Sequence, residues 1–205
     1  MKRLIYVRHG RKDGENIATE QLAEIQQNGI PGVNDLVKGQ NLVMHEGSLL
    51  NRTKQTLDAF AWYLNHNPEH GCLITRWLPA DCRLGNETMF ARFLENGEIA
   101  AEAKNTNWLH AFSQHDVGFL IETQAEMMKA IKEIFAATQD DRTIISVGHT
   151  PLIEWVTYAF DAHDRPARFS RTIKLPELAG FVFTEDHGQI SVTGTIGLQS
   201  QKIYL

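Results

Sequence analysis

The amino-acid sequence predicts an α/β fold, a three-layer α/β/α sandwich with a mostly parallel central sheet. Three observations carry that expectation. Short apolar runs of strand length alternate with longer segments of helical period, the pattern of parallel strands joined by helices. Two of these runs, Leu4-Ile5-Tyr6-Val7 and Ile144-Ile145-Ser146-Val147, lead into Arg8-His9-Gly10 and Gly148-His149. Ligands in open α/β sheets sit just beyond the carboxyl ends of the strands, so both histidines stand where a site is expected. Two further apolar runs, residues 180–184 and 189–193, flank Glu185-Asp186-His187-Gly188 and read as a terminal β-hairpin.

Taken in order, the first strand ends at Gly10, which lets the backbone turn sharply there. A polar loop, residues 11–16, follows. Residues 19–27 then read as a helix, with Leu22 and Ile25 on one side and Glu20 and Glu24 on the other. Asn28-Gly29 and Pro31-Gly32 break it. Leu42-Val43-Met44 is a second strand. Asn51 is the expected N-cap of a helix running to about residue 64, whose Leu57, Phe60, Ala61 and Leu64 form an apolar stripe. Arg52 falls in its first turn. A cation opposes the helix dipole there, and a bound anion explains it. Leu73-Ile74 reads as a strand and residues 88–94 as a helix. Residues 98–116 mix Trp108, His110, Phe112 and His115 without clear period; they read as an insertion or lid over the site, or as a helical excursion on the surface. Thr123 with Glu126 resembles a capping box, and the apolar spacing predicts a helix over 122–138. After the 144–147 strand, Thr150 caps a helix that has Pro151 in its first turn and runs to about residue 160. Residues 165–171 are a polar crossover into the hairpin.

The 205 residues suit one domain, 1–205, with a sizeable core and the insertion at about 98–116. A net charge of -5 argues against a general nucleic-acid binder, which is usually basic. Two cysteines, Cys72 and Cys82, cannot build a disulfide framework. No membrane-spanning or signal-like apolar run is present, so a cytoplasmic location is expected, with no membrane partner. His66, His70, His163 and His187 lie in polar loops and read as solvated. Trp62, Trp77 and Trp155 read as core or half-buried packing. His110 and His115 with Asp116 match no strong metal-ligand spacing, so no metal is expected.

Arg8, His9, Arg52 and His149 thus gather at strand ends and a helix start, a compact positive pocket in an acidic protein. That set suits phosphoryl transfer. A neutral imidazole attacks phosphorus while arginines and a second histidine hold the phosphoryl oxygens. The scheme calls for no cofactor, and its partner is a small phosphorylated molecule.

On the Arg8-His9-Gly10 and Gly148-His149 signatures, and on Ser48-x-Leu50-x-Arg52-Thr53-x-Gln55-Thr56 between them, the chain resembles the histidine phosphatase superfamily. The resemblance is to its simpler, phosphoglycerate-mutase-like branch. It implies His9 as the phosphorylated nucleophile and Arg8, Arg52 and His149 as phosphate ligands, with the helix start at Thr150 helping. Departures fall at three places. Arg11-Lys12 stands where a Glu-Thr pair is usual, and Asn16, the expected phosphate-touching asparagine, is displaced by about one position, a shift a loop absorbs. Glu87, the expected general acid after Leu84, is displaced similarly; Asp81 is its alternative. The leading activity is a phosphomonoesterase working through phosphohistidine. A phosphoglycerate-type mutase, and a catalytically weak member that binds a phosphorylated ligand, are the alternatives.

Overall fold

Seven residues of alternating destination, Lys2–Arg8, form β1 at the middle of the molecule. Leu4 and Tyr6 enter one apolar cluster; Ile5 and Val7 enter the other. Period-two alternation with both faces buried is what a central strand of a sandwich requires. The computed structural model describes residues 1–79, 84, 91, 95–106, 108–150, 152–153 and 175–198.

The main sheet has six strands. β4 (Asn41–Glu46), β5 (Leu73–Leu78), β6 (Thr143–Gly148), β7 (Gly180–Asp186) and β8 (Gln189–Ile196) join β1 in the spatial order β5-β4-β6-β1-β7-β8. The pairs β1·β6, β4·β6 and β4·β5 are parallel, and β7 and β8 continue the sheet antiparallel. This is the expected mostly parallel sheet with a terminal hairpin. His187 (φ 49°) and Gly188 (φ 82°) form the two-residue turn, both in the left-handed region that the tightest hairpins use. The loop residues 11–16 also contain a small ribbon, β2 (Lys12–Asp13) and β3 (Asn16–Ile17), that the polar sequence did not announce.

Helices α1 (Thr19–Asn28), α2 (Asn34–Val37) and α3 (Asn51–His66) cover one face through Ile25, Val33, Val37, Leu57 and Phe60. On the other face lie α4 (Gly97–Asn105), α5 (Trp108–His115) and α6 (Val117–Ala136), through Ile99, Phe112, Phe119, Ile131 and Phe135. Residues 98–116 are therefore mostly helical among those described, and Ile99, Ala111 and Phe112 join the core.

Three details differ from the sequence reading. Asn51 is the first residue of α3 and Leu50 its N-cap, and the Asn51 amide donates to Asn16 Oδ1. The long helix begins at Val117, capped by Asp116, whose carboxylate accepts from Phe119 N at 3.1 Å. Thr123 lies inside that helix and is buried, so no capping box forms there; Phe119 and Leu120 extend the apolar stripe toward the N-terminus. Trp62 and Trp77 are exposed, with Trp62 stacked on His66 at 3.9 Å, and His70 is held by the Tyr63 hydroxyl at 2.8 Å. Of the helix expected after Thr150, Leu152 and Ile153 are described, both helical and buried, with Ile153 N donating to His149 O at 3.4 Å. Of the helix expected at 88–94 only residue 91 is described, and it is helical. The remainder of both, the 165–171 crossover, Cys82, Trp155 and His163 lie outside the described residues. Among the described residues no helix is long and apolar enough to cross a membrane.

Candidate active site

β1 and β6 run side by side, with Arg8 in register with Gly148. His9 N–H donates to Gly148 O at 2.8 Å, so the two strand ends are tied together where both histidines begin. His9 is 4% exposed. Its Nδ1 lies 2.6 Å from Gly10 O. A carbonyl only accepts, so the Nδ1 proton is fixed there and Nε2 keeps the lone pair. That lone pair faces Arg52, whose Nε donates to His9 Nε2 at 3.0 Å. Burial, and then the charges of Arg52 and Arg8, push the His9 pKa down to about 4, against the Gly10 hydrogen bond that raises it. The ring is thus neutral near pH 7, with Nε2 presented to Arg52.

Gly10 has a close-packing role. A Cβ there would stand 2.5 Å from Ile17 Cδ1 and 2.7 Å from Gln21 Oε1. Its φ is outside the left-handed region, so what requires glycine here is the close approach of Ile17 in β3 and Gln21 in α1. Gly10 N–H donates to Thr56 Oγ1 at 3.1 Å, and that hydroxyl donates to Arg52 O at 2.8 Å. One threonine of α3 therefore locks the loop after the nucleophile candidate to the turn that carries Arg52. The sequence signal was the four-residue step from Arg52 to Thr56, which puts both on adjacent turns of one helix face.

Arg52 is half-buried. Desolvation and the charge of Arg8 lower its pKa, while Glu15 raises it. Arg8 sends Nη1 to Leu175 O at 2.5 Å, and its Nη2 is 3.7 Å from Glu177 Oε1. Its Nε is buried with no hydrogen-bond partner among the described residues. Glu177 was missed by the sequence reading: nothing in Leu175-Pro176-Glu177 marks it, since its role depends on a neighbour 169 positions earlier in the chain.

His149 is 1% exposed and follows β6 directly. Burial, then His9, Arg52 and Arg8, push its pKa down to about 3. All four expected groups are thus in mutual electrostatic reach. Gly148 makes room beneath them: a Cβ there would be 2.5 Å from Tyr6 Cε2. The Tyr6 hydroxyl donates to Leu84 O at 3.2 Å. Asn16 is tied to the start of α3, its Oδ1 accepting from Asn51 Nδ2 at 2.6 Å and Gln55 Nε2 at 3.1 Å. Thr150 is half-buried in the turn after His149. Glu87 and Asp81 lie outside the described residues. His110 and His115 converge on Glu102, at 3.5 Å and 3.2 Å. Among the described residues no group of three or more His, Cys, Asp or Glu side chains is placed to hold a metal.

No family model matches the chain, and no curated protein matches it in sequence. Solved structures do match it in fold. A phosphoserine phosphatase from Entamoeba histolytica, in complex with 3-phosphoglyceric acid, is 13% identical, with 97% of this chain and 98% of that one covered and a TM-score of 0.58. Bacillus stearothermophilus YhfR is 12% identical, with coverage of 94% and 95% and a TM-score of 0.57. A mycobacterial glucosyl-3-phosphoglycerate phosphatase, in complex with VO3, is 16% identical, with coverage of 97% and 99% and a TM-score of 0.55. At these identities the likeness is one of architecture: the chain shares the phosphoglycerate mutase-like fold of these structures.

Proposed function

We propose that this chain is a phosphomonoesterase that acts on a small phosphorylated metabolite through a phospho-His9 intermediate. The observation that carries the reading is the state of His9: neutral, with Nδ1–H held by Gly10 O and Nε2 accepting from Arg52 Nε, within reach of the Arg8 charge. In this reading the phosphoryl group enters between Arg8, Arg52 and His149, with Asn16 and the Thr150 turn adding donors. Arg52 Nε leaves His9 Nε2 for a phosphoryl oxygen, which frees the lone pair. Nε2 then bonds to phosphorus as the ester P–O bond breaks. The leaving oxygen takes a proton from Glu87, with Asp81 as the second candidate. Water next attacks phosphorus and gives a proton to the carboxylate left by the first step, the N–P bond breaks, and phosphate leaves with the acid restored. The arginines and His149 stabilise the charge that grows on the equatorial oxygens.

Leu84 anchors the segment that carries both acid candidates: its carbonyl is bonded to the Tyr6 hydroxyl, and Tyr6 packs beneath Gly148. Asp81 and Glu87 each stand three residues from it in sequence, a step that spans at most about 10 Å, so the comparison of their variants decides between them. The reading also takes the chain as one domain that includes residues 98–116, working in the cytoplasm without a cofactor.

Two measurements test it. Wild type given labelled p-nitrophenyl phosphate and quenched in alkaline detergent should carry label on His9 that is stable to alkali and lost in acid, and His9→Ala should lose both label and phosphate release while keeping its circular dichroism. Near-normal release by a folded His9→Ala protein would end the reading. Glu87→Gln should keep most activity on p-nitrophenyl phosphate, whose leaving group departs without protonation. On an alkyl phosphate it should lose on the order of a hundredfold to ten-thousandfold, a proton donor's usual contribution. If Asp81→Asn shows that selective loss instead, Asp81 is the acid.

A further inference from the structure

The segment before β7 is folded around Arg8. Arg8 N–H donates to Ala179 O at 2.8 Å, and Arg8 O accepts from Leu178 N at 3.2 Å. Ala179 N closes the turn on Pro176 O at 3.3 Å. Leu178 sits at φ 60°, in the left-handed region that disfavours a side chain, so the turn is held against local strain. What it presents is Glu177. The carboxylate lies 3.7 Å from Arg8 Nη2 and is 42% exposed. That separation is an ion pair without a hydrogen bond, and among the described residues no hydrogen bond reaches the Glu177 carboxylate. Its charge extends to His9, whose pKa it raises. Arg8 meanwhile keeps a buried donor, Nε, with no hydrogen-bond partner among the described residues, so it can hold an anion without releasing Glu177.

An anion pocket with a carboxylate at its edge repels a ligand that brings only negative charge. It suits a ligand whose own cation meets that carboxylate. On the reading that the pocket takes phosphomonoesters, we propose that Glu177 is a specificity-determining residue that selects phosphorylated amines. Its carboxylate receives the ligand's ammonium while Arg8 and Arg52 hold the phosphoryl group. Phosphorylated sugar acids, which carry a further carboxylate, are disfavoured by the same residue.

The test is calorimetric binding of 2-aminoethylphosphonate and n-propylphosphonate to wild type and Glu177→Gln, at mildly alkaline pH where both phosphonates are dianionic. The two differ by an ammonium for a methyl, and their P–C bonds leave no ester to hydrolyse. Wild type should bind the aminophosphonate tighter by roughly two- to fivefold, the range for a partly exposed ion pair. Glu177→Gln should bring the ratio near one and should bind propylphosphonate better than wild type does. In wild type alone, added salt should shrink the preference. Equal ratios in the two proteins, or no preference in wild type, overturn the proposal. Turnover separates it from the activity on which it rests. A Glu177-dependent preference in a protein that hydrolyses no phosphomonoester ends the phosphatase reading and leaves Glu177 as a ligand selector. Hydrolysis without the preference does the reverse.

Discussion

Arg52 does two things at one atom. Its Nε–H occupies the His9 Nε2 lone pair in the unliganded pocket, and its charge helps keep that imidazole neutral. A phosphoryl oxygen competes for the same N–H. Arg52→Ala should therefore lower kcat/KM by on the order of a hundredfold or more, as loss of one transition-state donor does. Arg52→Lys should recover part of this and not all, because an ammonium keeps the charge but loses the planar fork. Equal activity of Arg52→Ala and wild type would place Arg52 outside the pocket. The charge effect has its own readout. Burial is the larger cause of the low His9 pKa and Arg52 a smaller one, so the alanine variant should titrate His9 higher than wild type yet still below 6.5. Histidine proton or carbon shifts followed by NMR through that range would show it.

At the scale of elements, the pocket depends on how closely β1 and β6 approach at their carboxyl ends. Gly148→Ala would drive a methyl against Tyr6 Cε2 and Cζ, both within 2.7 Å of the new atom, and Tyr6 is fully buried with its hydroxyl bonded to Leu84. Neither the strand nor the ring can give easily. The expected cost is about 1–3 kcal/mol, the range for overpacking a core, which lowers Tm by about 2–4 °C per kcal/mol in a chain of this size. Activity should fall with it, since His149 and Leu84 move together. A Gly148→Ala protein with unchanged Tm would mean the contact is not tight in solution. The strand ends were legible because an apolar run stopping at Arg-His-Gly or Gly-His has a local signature in both composition and position. The start of α6 was not. Thr123 and Glu126 mimic a cap, and only the burial of Phe119 and Leu120 against the sheet shows that the helix continues past them. Glu177 was illegible for the same reason at larger separation. A single glutamate gains meaning from the arginine that the tertiary fold brings to it.

Across the whole molecule, folding buries two imidazoles next to two guanidinium groups, and that arrangement sets how the protein responds to acid. Unfolded, His9 and His149 titrate near 6.5; folded, they resist protonation until about 4 and about 3. Above 6.5 both states carry neutral rings, so nothing is gained or lost. Between 6.5 and about 4 the unfolded chain binds protons that the folded chain refuses, and stability therefore falls as pH falls through that window. For His9 alone a shift of this size corresponds to on the order of 3 kcal/mol, a large share of the roughly 5–15 kcal/mol that stabilises a typical domain. Carboxylates titrate at the lower end of the same range, so wild type alone does not isolate the effect. The comparison with His9→Gln does: it removes one titrating ring and should flatten the fall in urea midpoint between about pH 6.5 and about pH 4. Inorganic phosphate should flatten it as well, because a bound anion beside the rings offsets the arginine charges that hold their pKa values down. If the urea midpoints of wild type and His9→Gln run parallel across the window, His9 is not a buried neutral base, and the pocket loses the nucleophile on which its chemistry depends.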